Sequence, residues 1–459
     1  MKFSTIKLII IIIFFNPFSY TQNSNQDLQL IYKEKIKKKI PEKNKLDRKK
    51  KIYWELSNKL FHRFTFNSYI SKKNPANLAI KSPFYFFRFD PLNFDLQVTN
   101  KSLSPEFFIN YFSDGSVLNN KEQDEIIASF ENLKLMTESN VSPLKLGIRN
   151  FQFSSNIRTL ILGNFEGDFF SIPFTNLHIE NDYNQNLNLE LFSYVKNSIG
   201  LGRVFKTNFA SFRYGINYNN LFGLTYFKSQ TNKLNFINNF GDVGAELNVS
   251  MIGSETFWGY LEDSMRTENI NSYFSGSSSS FDVGFGVNLK KLIYQNLDLE
   301  ILIENINSTL LFKNTTEKSY TSFFNSSNII DFTDSLSNTT IDTITRKIDF
   351  KLKIPLKISM NTTYQPTPRF IISGGFEKYL NNFIIHNSKL NFHLRSAFYL
   401  KDWMNINYGI SSRHNQIIQS FGAAMQSNLI NIVLCMNSYN GFLNSANGIG
   451  FSINFSTHI

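Results

Sequence analysis

A single cysteine, Cys435, stands in a chain of 459 residues. One thiol can form neither an intrachain disulfide framework nor a cysteine-based zinc site, and its distance from the N-terminus excludes a lipoprotein anchor there. Past the N-terminus no stretch offers the roughly 18 consecutive apolar residues that a membrane helix requires. The histidines, His62, His178, His386, His393, His414 and His458, sit in no nucleophile motif, and His386 and His393 are separated by a turn and a strand, a spacing without metal-site character. The expectation is therefore no catalytic residues, no metal and no cofactor. Net charge is +11, but residues 33–51 hold 11 Lys or Arg against Glu34, Glu42 and Asp47, a balance of +8, and residues 1–32 add +1. A near-neutral body with most of its excess positive charge in one segment does not make a nucleic-acid surface.

What is abundant is phenylalanine (48) and tyrosine (20), a β-favouring load, at a mean hydropathy of only −0.21. Lys2 and Lys7 precede an apolar run from Leu8 to Phe15 and the small-x-small triplet Ser19, Tyr20, Thr21. This is the layout of a secretory signal peptide, residues 1–21, with cleavage before Gln22. Residues 22–51 read as a solvated, mobile basic tail, able also to attract anionic lipid head groups.

The stretch from Ala446 to Ile459 organises the rest. Ile449, Phe451, Ile453, Phe455 and Ile459 point one way, with Gly448, Gly450, Ser452, Asn454, Ser456 and His458 between them. Alternation over about 10 residues is the length of a tilted strand crossing a bilayer core, whereas soluble strands average about 5 to 6. The pattern predicts the closing strand of a barrel. Similar alternation recurs at Leu92 to Val98, Leu144 to Phe153, Leu187 to Lys196, Ile199 to Lys206, Phe212 to Tyr218, Leu221 to Lys228, Phe281 to Leu289, Leu297 to Ile303 and Ile348 to Met360, where Pro355 predicts a bulge or unpairing. The fold class expected is all-β, a transmembrane antiparallel barrel of roughly 14 strands (about 12 to 16) over residues 84–459. A short helix is expected near 120–135, capped by Asn120. Long outside connections are expected near 251–280 and 306–345, and shorter ones outside at 379–386 and inside at 361–367.

Asn74, Pro75, Ala76 and Asn77 form a stiff turn just before the first strand. An Asn-Pro-Ala turn at that place resembles the long-chain fatty-acid transporter family of outer-membrane barrels and related barrels attached to type IX secretion. The chain departs from that family in its sparse glycine, 22 residues, and in having no ligand-binding signature. The resemblance implies an N-terminal plug, here residues 52–83, an outer-membrane location among its lipids, and passage or capture of an apolar or amphipathic solute. The rival is a membrane-embedded partner for secreted proteins or a secretion machine. Asp298, Glu300 and Glu304 share the polar face of one strand, and Lys351, Lys353 and Lys357 that of the next. Across a hairpin these charges are expected to meet inside the barrel and fill a polar lumen.

Overall fold

The computed structural model describes residues 74–79, 87–100, 103–112, 119–130, 132–167, 183–207, 210–239, 242–261, 274–289, 296–326, 340–367, 369–386, 388–401, 403–413, 416–426, 430–442 and 445–458. The expected signal peptide, the basic tail, residues 52–73 and 80–83 of the plug-like segment, and Ile459 lie outside them.

Among the described residues, one antiparallel sheet of 17 strand segments makes the wall. In chain order they are β1 Phe87–Asn100, β2 Asn132–Ile148, β3 Phe151–Gly167, β4 Tyr183–Lys206, β5 Ala210–Asn239, β6 Asp242–Gly253, β7 Gly276–Leu289, β8 Asn296–Ile306 and β9 Thr309–Ser326. They continue as β10 Thr340–Lys353, β11 Lys357–Thr367, β12 Phe370–Tyr379, β13 Leu390–Lys401, β14 Met404–Arg413, β15 Gln416–Gln426, β16 Ile430–Tyr439 and β17 Gly448–His458. β1 pairs with β2 on one side and with β17 on the other, Leu96 opposite Phe451 and Val98 opposite Ile449. The sheet thus closes on itself and leaves no edge at its seam.

The count of 17 strand segments corrects the expected 14, and the breaks have physical causes. β10 and β11 are separated at Ile354 to Leu356, where Pro355 has no N–H to give a ladder. β8 and β9 are separated at Asn307 and Ser308, flanked by Asn305 at φ 63° and Asn307 at φ 60°, a left-handed conformation that asparagine tolerates. Pairing carries across both breaks, with Glu304 opposite Lys357 and Thr309 opposite Lys353. β6 and β7 both pair with β5, β6 along Phe227 to Asn239 and β7 along Ala210 to Gly223. Between them the chain leaves the wall as helix α3, Glu255–Leu261 in chain order after α1 Pro105–Phe112 and α2 Asn120–Phe130.

Other boundaries also move. The stretches 187–196 and 199–206 are one strand, β4, and 212–218 and 221–228 belong to β5, while the expected strand 144–153 contains the turn at Arg149 and Asn150. Residues 309–326 and 340–345, within the expected outside connection, are strand. α2 ends at Phe130, and Leu133 and Leu135 belong to β2. Its cap is Asn119, whose Oδ1 accepts from the Glu122 N–H at 3.0 Å while Glu122 accepts from the Asn119 N–H at 2.8 Å. α1 and α2 decorate the β1–β2 connection, where the Tyr111 hydroxyl donates to Glu125 and holds that carboxylate below its ordinary range. They therefore sit at the end of the barrel opposite the close of β17.

Side chains sort by parity. Leu394, Ile406, Phe421, Leu434 and Phe451 are exposed on the outer face, while Asn391, Asn405, Ser420, Asn431 and Ser456 are buried on the inner one. A closed sheet that is apolar outside and polar inside is the strand arrangement able to cross a bilayer. Connections are short at one end, as at 149–150, 368–369 and 402–403, and long at the other, as at 101–131, 168–182 and 380–389. Replacing Phe451 by Lys should cost about 2 to 4 kcal/mol near the midplane and less near a rim. Asn454→Lys, on the inner face of the same strand, should cost much less. Both are read from the temperature at which the unboiled form is lost on a detergent gel, and equal tolerance would mean that the two faces of β17 are assigned the wrong way round.

Candidate functional site

The inner face of β4 gives the levels of the lumen in order. Phe192 and Tyr194 come first, then Lys196 and Ser198, then Gly200 and Gly202, all on one parity. At the first level, toward the long connections, an apolar storey is built from Leu160, Phe192, Tyr194, Leu221, Tyr226, Leu310, Phe312 and Leu352 on the wall strands. Phe192 stacks on Tyr194 at 5.0 Å and meets Phe312 edge-on at 6.4 Å, and Tyr226 stacks on Phe350 at 4.6 Å. Such ring pairs are worth about 0.5 to 1.5 kcal/mol each beyond area burial. Ile354, Phe383 and Ile385 complete the cluster.

Below it lies a chamber of about 220 Å³, lined mostly by polar residues from nearly every side of the wall, with Tyr194 and Tyr379 among them. Five of its charged residues, Arg158, Lys196, Asp282, Glu304 and Lys357, are in ion pairs. Lys196 donates to Asp282 at 2.8 Å. A chain of ion pairs then crosses the lumen: Arg158 to Glu138 at 2.7 Å, Glu138 to Arg413 at 3.0 Å, Arg413 to Glu377 at 4.0 Å, Glu377 to Lys357 at 2.9 Å and Lys357 to Glu304 at 3.1 Å. Glu138 is on β2 and Arg413 on β14, strands that do not pair, so this link spans the interior. Buried charges persist only when compensated in this way.

At the third level stands the Pro75–Ala79 3-10 helix. Asn74 Nδ2 donates to the carbonyls of Phe285 at 3.2 Å and Ile301 at 3.3 Å, and its Oδ1 accepts from the Ala76 N–H at 3.0 Å. Asn77 Nδ2 donates to Glu300 at 2.9 Å. Close approach requires glycine in the wall: a Cβ on Gly215 would lie 2.3 Å from the Pro75 carbonyl, and one on Gly284 would lie 1.8 Å from Asn74 Oδ1. Arg213 forms a bidentate pair with Asp298 at 2.6 and 3.0 Å and reaches Glu300 at 3.4 Å.

The charges singled out in the sequence are thus divided. Glu304 meets Lys357, but Asp298 and Glu300 meet Arg213, which sequence reasoning missed. Lys351 and Lys353 are exposed, which corrects their placement in the lumen. The break at Ile354 to Leu356 reverses parity, so Leu352 and Ile354 point in where the lysines were expected to. Of the closing-strand residues, Ile449 and Phe451 are exposed and Ile453 and Phe455 half-buried.

A closed antiparallel wall, apolar outside and polar within, defines a β-barrel of the membrane-spanning kind, with residues 74–79 against its inner face. No protein-family model matches the sequence, and no curated protein does. Among solved structures the chain is similar to the deltaS2S3 mutant of the monoaromatic hydrocarbon channel TodX, at 11% identity over 84% of this chain and 94% of that one, with a TM-score of 0.45. It is similar also to the Ralstonia pickettii toluene transporter TbuX (10% identity, 84% and 92% covered, TM-score 0.40) and to a Pseudomonas aeruginosa FadL homologue (9%, 84% and 92%, 0.38). Barrels of the FadL type are therefore what this chain resembles, at a distance where the likeness carries no argument about a ligand.

Proposed function

We propose that the protein is an outer-membrane channel that captures an apolar or amphipathic solute and passes it inward. The observation that carries this reading is the apolar storey resting directly on the charged chamber, with Tyr194 belonging to both. A channel for polar solutes has a polar interior throughout. Here an alkyl or aryl group has an aromatic surface to meet, and a polar head has the chamber beneath. The long connections mark the outer side, by the usual asymmetry of such barrels, so the storey is the first level a solute reaches.

Proteoliposomes carrying the full chain should take up a monoaromatic or dodecyl-chain probe faster than glucose. Phe350→Asn, which removes the ring stacked on Tyr226, should reduce that uptake about tenfold, the equivalent of 1.4 kcal/mol. Glucose entering as fast as the apolar probe would rule out this reading.

A further inference from the structure

An exposed connection favours Asn and Ser over apolar residues. The β12–β13 connection has them, Asn381, Asn382 and Ser388, yet carries Phe383, Ile384 and Ile385 in its middle. The structure turns this triplet into the lumen. Phe383 and Ile385 are buried in the apolar storey with Ile384 packed against it, and the Phe383 ring meets Phe192 edge-on at 5.6 Å. Apart from Ile354, they are the buried members of that cluster that no wall strand supplies.

The turn is held by what surrounds it. Phe383 and His386 exchange two backbone hydrogen bonds of 2.7 Å, which tightens the tip. Ile384 between them sits at φ 48°, a left-handed conformation that a β-branched residue adopts only when its surroundings impose it. The His386 ring stacks on Tyr379 at 4.5 Å, and its Nε2 lies 2.7 Å from Arg158 Nη2. At the base, the Leu380 N–H donates to the Leu356 carbonyl at 3.0 Å and the Ser388 N–H to Asn382 Oδ1 at 2.7 Å. Asn381 and Asn382 between base and tip are exposed. The connection thus has a fixed base, an exposed pair of small polar residues, and a strained apolar tip.

We propose that the Phe383–His386 turn is a displaceable internal ligand: its two side chains occupy the part of the storey that takes a solute's alkyl or aryl group, and they close the chamber from the outer side. An entering apolar group offers the same contacts without the strain at Ile384, so the turn swings out about Asn381 and Asn382 as the solute arrives. The identity of the displacing molecule rests on the solute reading above. The closure of the chamber by the turn does not.

Cys435 is a native reporter, because it is half-exposed and lines the chamber beneath the turn. Intact cells expressing the full chain are treated from outside with a small charged methanethiosulfonate that does not cross lipid. Phe383→Ser with Ile385→Ser should speed modification of Cys435 about tenfold, as expected for a shift of the open fraction by that factor. The milder Ile385→Ala should give an intermediate rate, and it decides the matter if the double variant fails to form a heat-modifiable barrel. Wild-type rates in folded variants would overturn the proposal. A dodecyl-chain amphiphile should speed the wild-type reaction. If the variants react faster but the amphiphile changes neither labelling nor uptake, the turn stands as a lid and the solute reading falls.

Discussion

Lys357→Met should cost the barrel about 3 to 5 kcal/mol, the usual penalty for removing one partner of a buried ion pair. The Lys357 side chain is 5% exposed, with its ammonium 3.1 Å from Glu304 and 2.9 Å from Glu377. Methionine keeps the apolar stem and removes the charge, so two carboxylates are left facing each other in the lumen. The loss is read as a lower temperature of conversion from the fast to the slow form on a detergent gel. Acidifying the medium should restore part of it, because one protonated carboxyl no longer repels its neighbour. Lys351→Met and Lys353→Met, both exposed on β10, should change the temperature little. A Lys357 variant no worse than these two would show that the ion-pair chain does not brace the wall.

Gly215→Leu should raise the conductance of the barrel by displacing residues 74–79 from its inner wall. A Cβ at this position would lie 2.3 Å from both the carbonyl carbon and oxygen of Pro75 and 2.6 Å from the Ala76 nitrogen. These are backbone atoms, which cannot yield by rotating a side chain. The wall at Gly215 is an ordinary extended strand paired with Gly202 and Gly284, so the neighbouring turn should be the part that moves. The expected result is an inserted, heat-modifiable barrel whose single-channel conductance in a planar bilayer is several times that of the wild type. Gly374→Ala is the control, since its Cβ would meet Leu394 at 3.4 Å, near ordinary contact. Unchanged conductance would mean that residues 74–79 do not obstruct the lumen.

Where one face is greasy and the other polar, the sequence spoke clearly: strict alternation marked the strands near 281–289 and 449–455. It spoke less clearly where a strand carries turn-forming residues. Asn197 and Ser198 read as a break but lie within β4, held by pairing to β3 and β5 on both sides. Conversely, the turn at Arg149 and Asn150 was hidden in an apolar run, since Leu144, Leu146 and Ile148 before it and Phe151 and Phe153 after it alternate alike, with only a one-residue change of phase between them. Lys351 and Lys353 show a further limit. Parity extrapolated from Lys357 fails once Pro355 breaks the strand, and nothing in a period-two pattern records which way the chain re-enters the sheet. Two site signals in the sequence went unread: the Gly200 and Gly202 pair on the inward parity of β4, and the Phe-Ile-Ile triplet in an Asn-rich connection.

The seam between β1 and β17 joins Arg88 to His458 and Thr99 to Gly448, among the most distant pairings the chain contains. Loop-closure entropy opposes such contacts until everything between has ordered. During assembly both strands therefore present unsatisfied N–H and C=O groups, each row a template for another copy of the same sheet. Correct maturation is a race between this last zipping step and intermolecular pairing, and its outcome depends on chain concentration. A helper that holds one of these two rows until its partner arrives would lower the fraction lost to aggregates without altering the finished barrel.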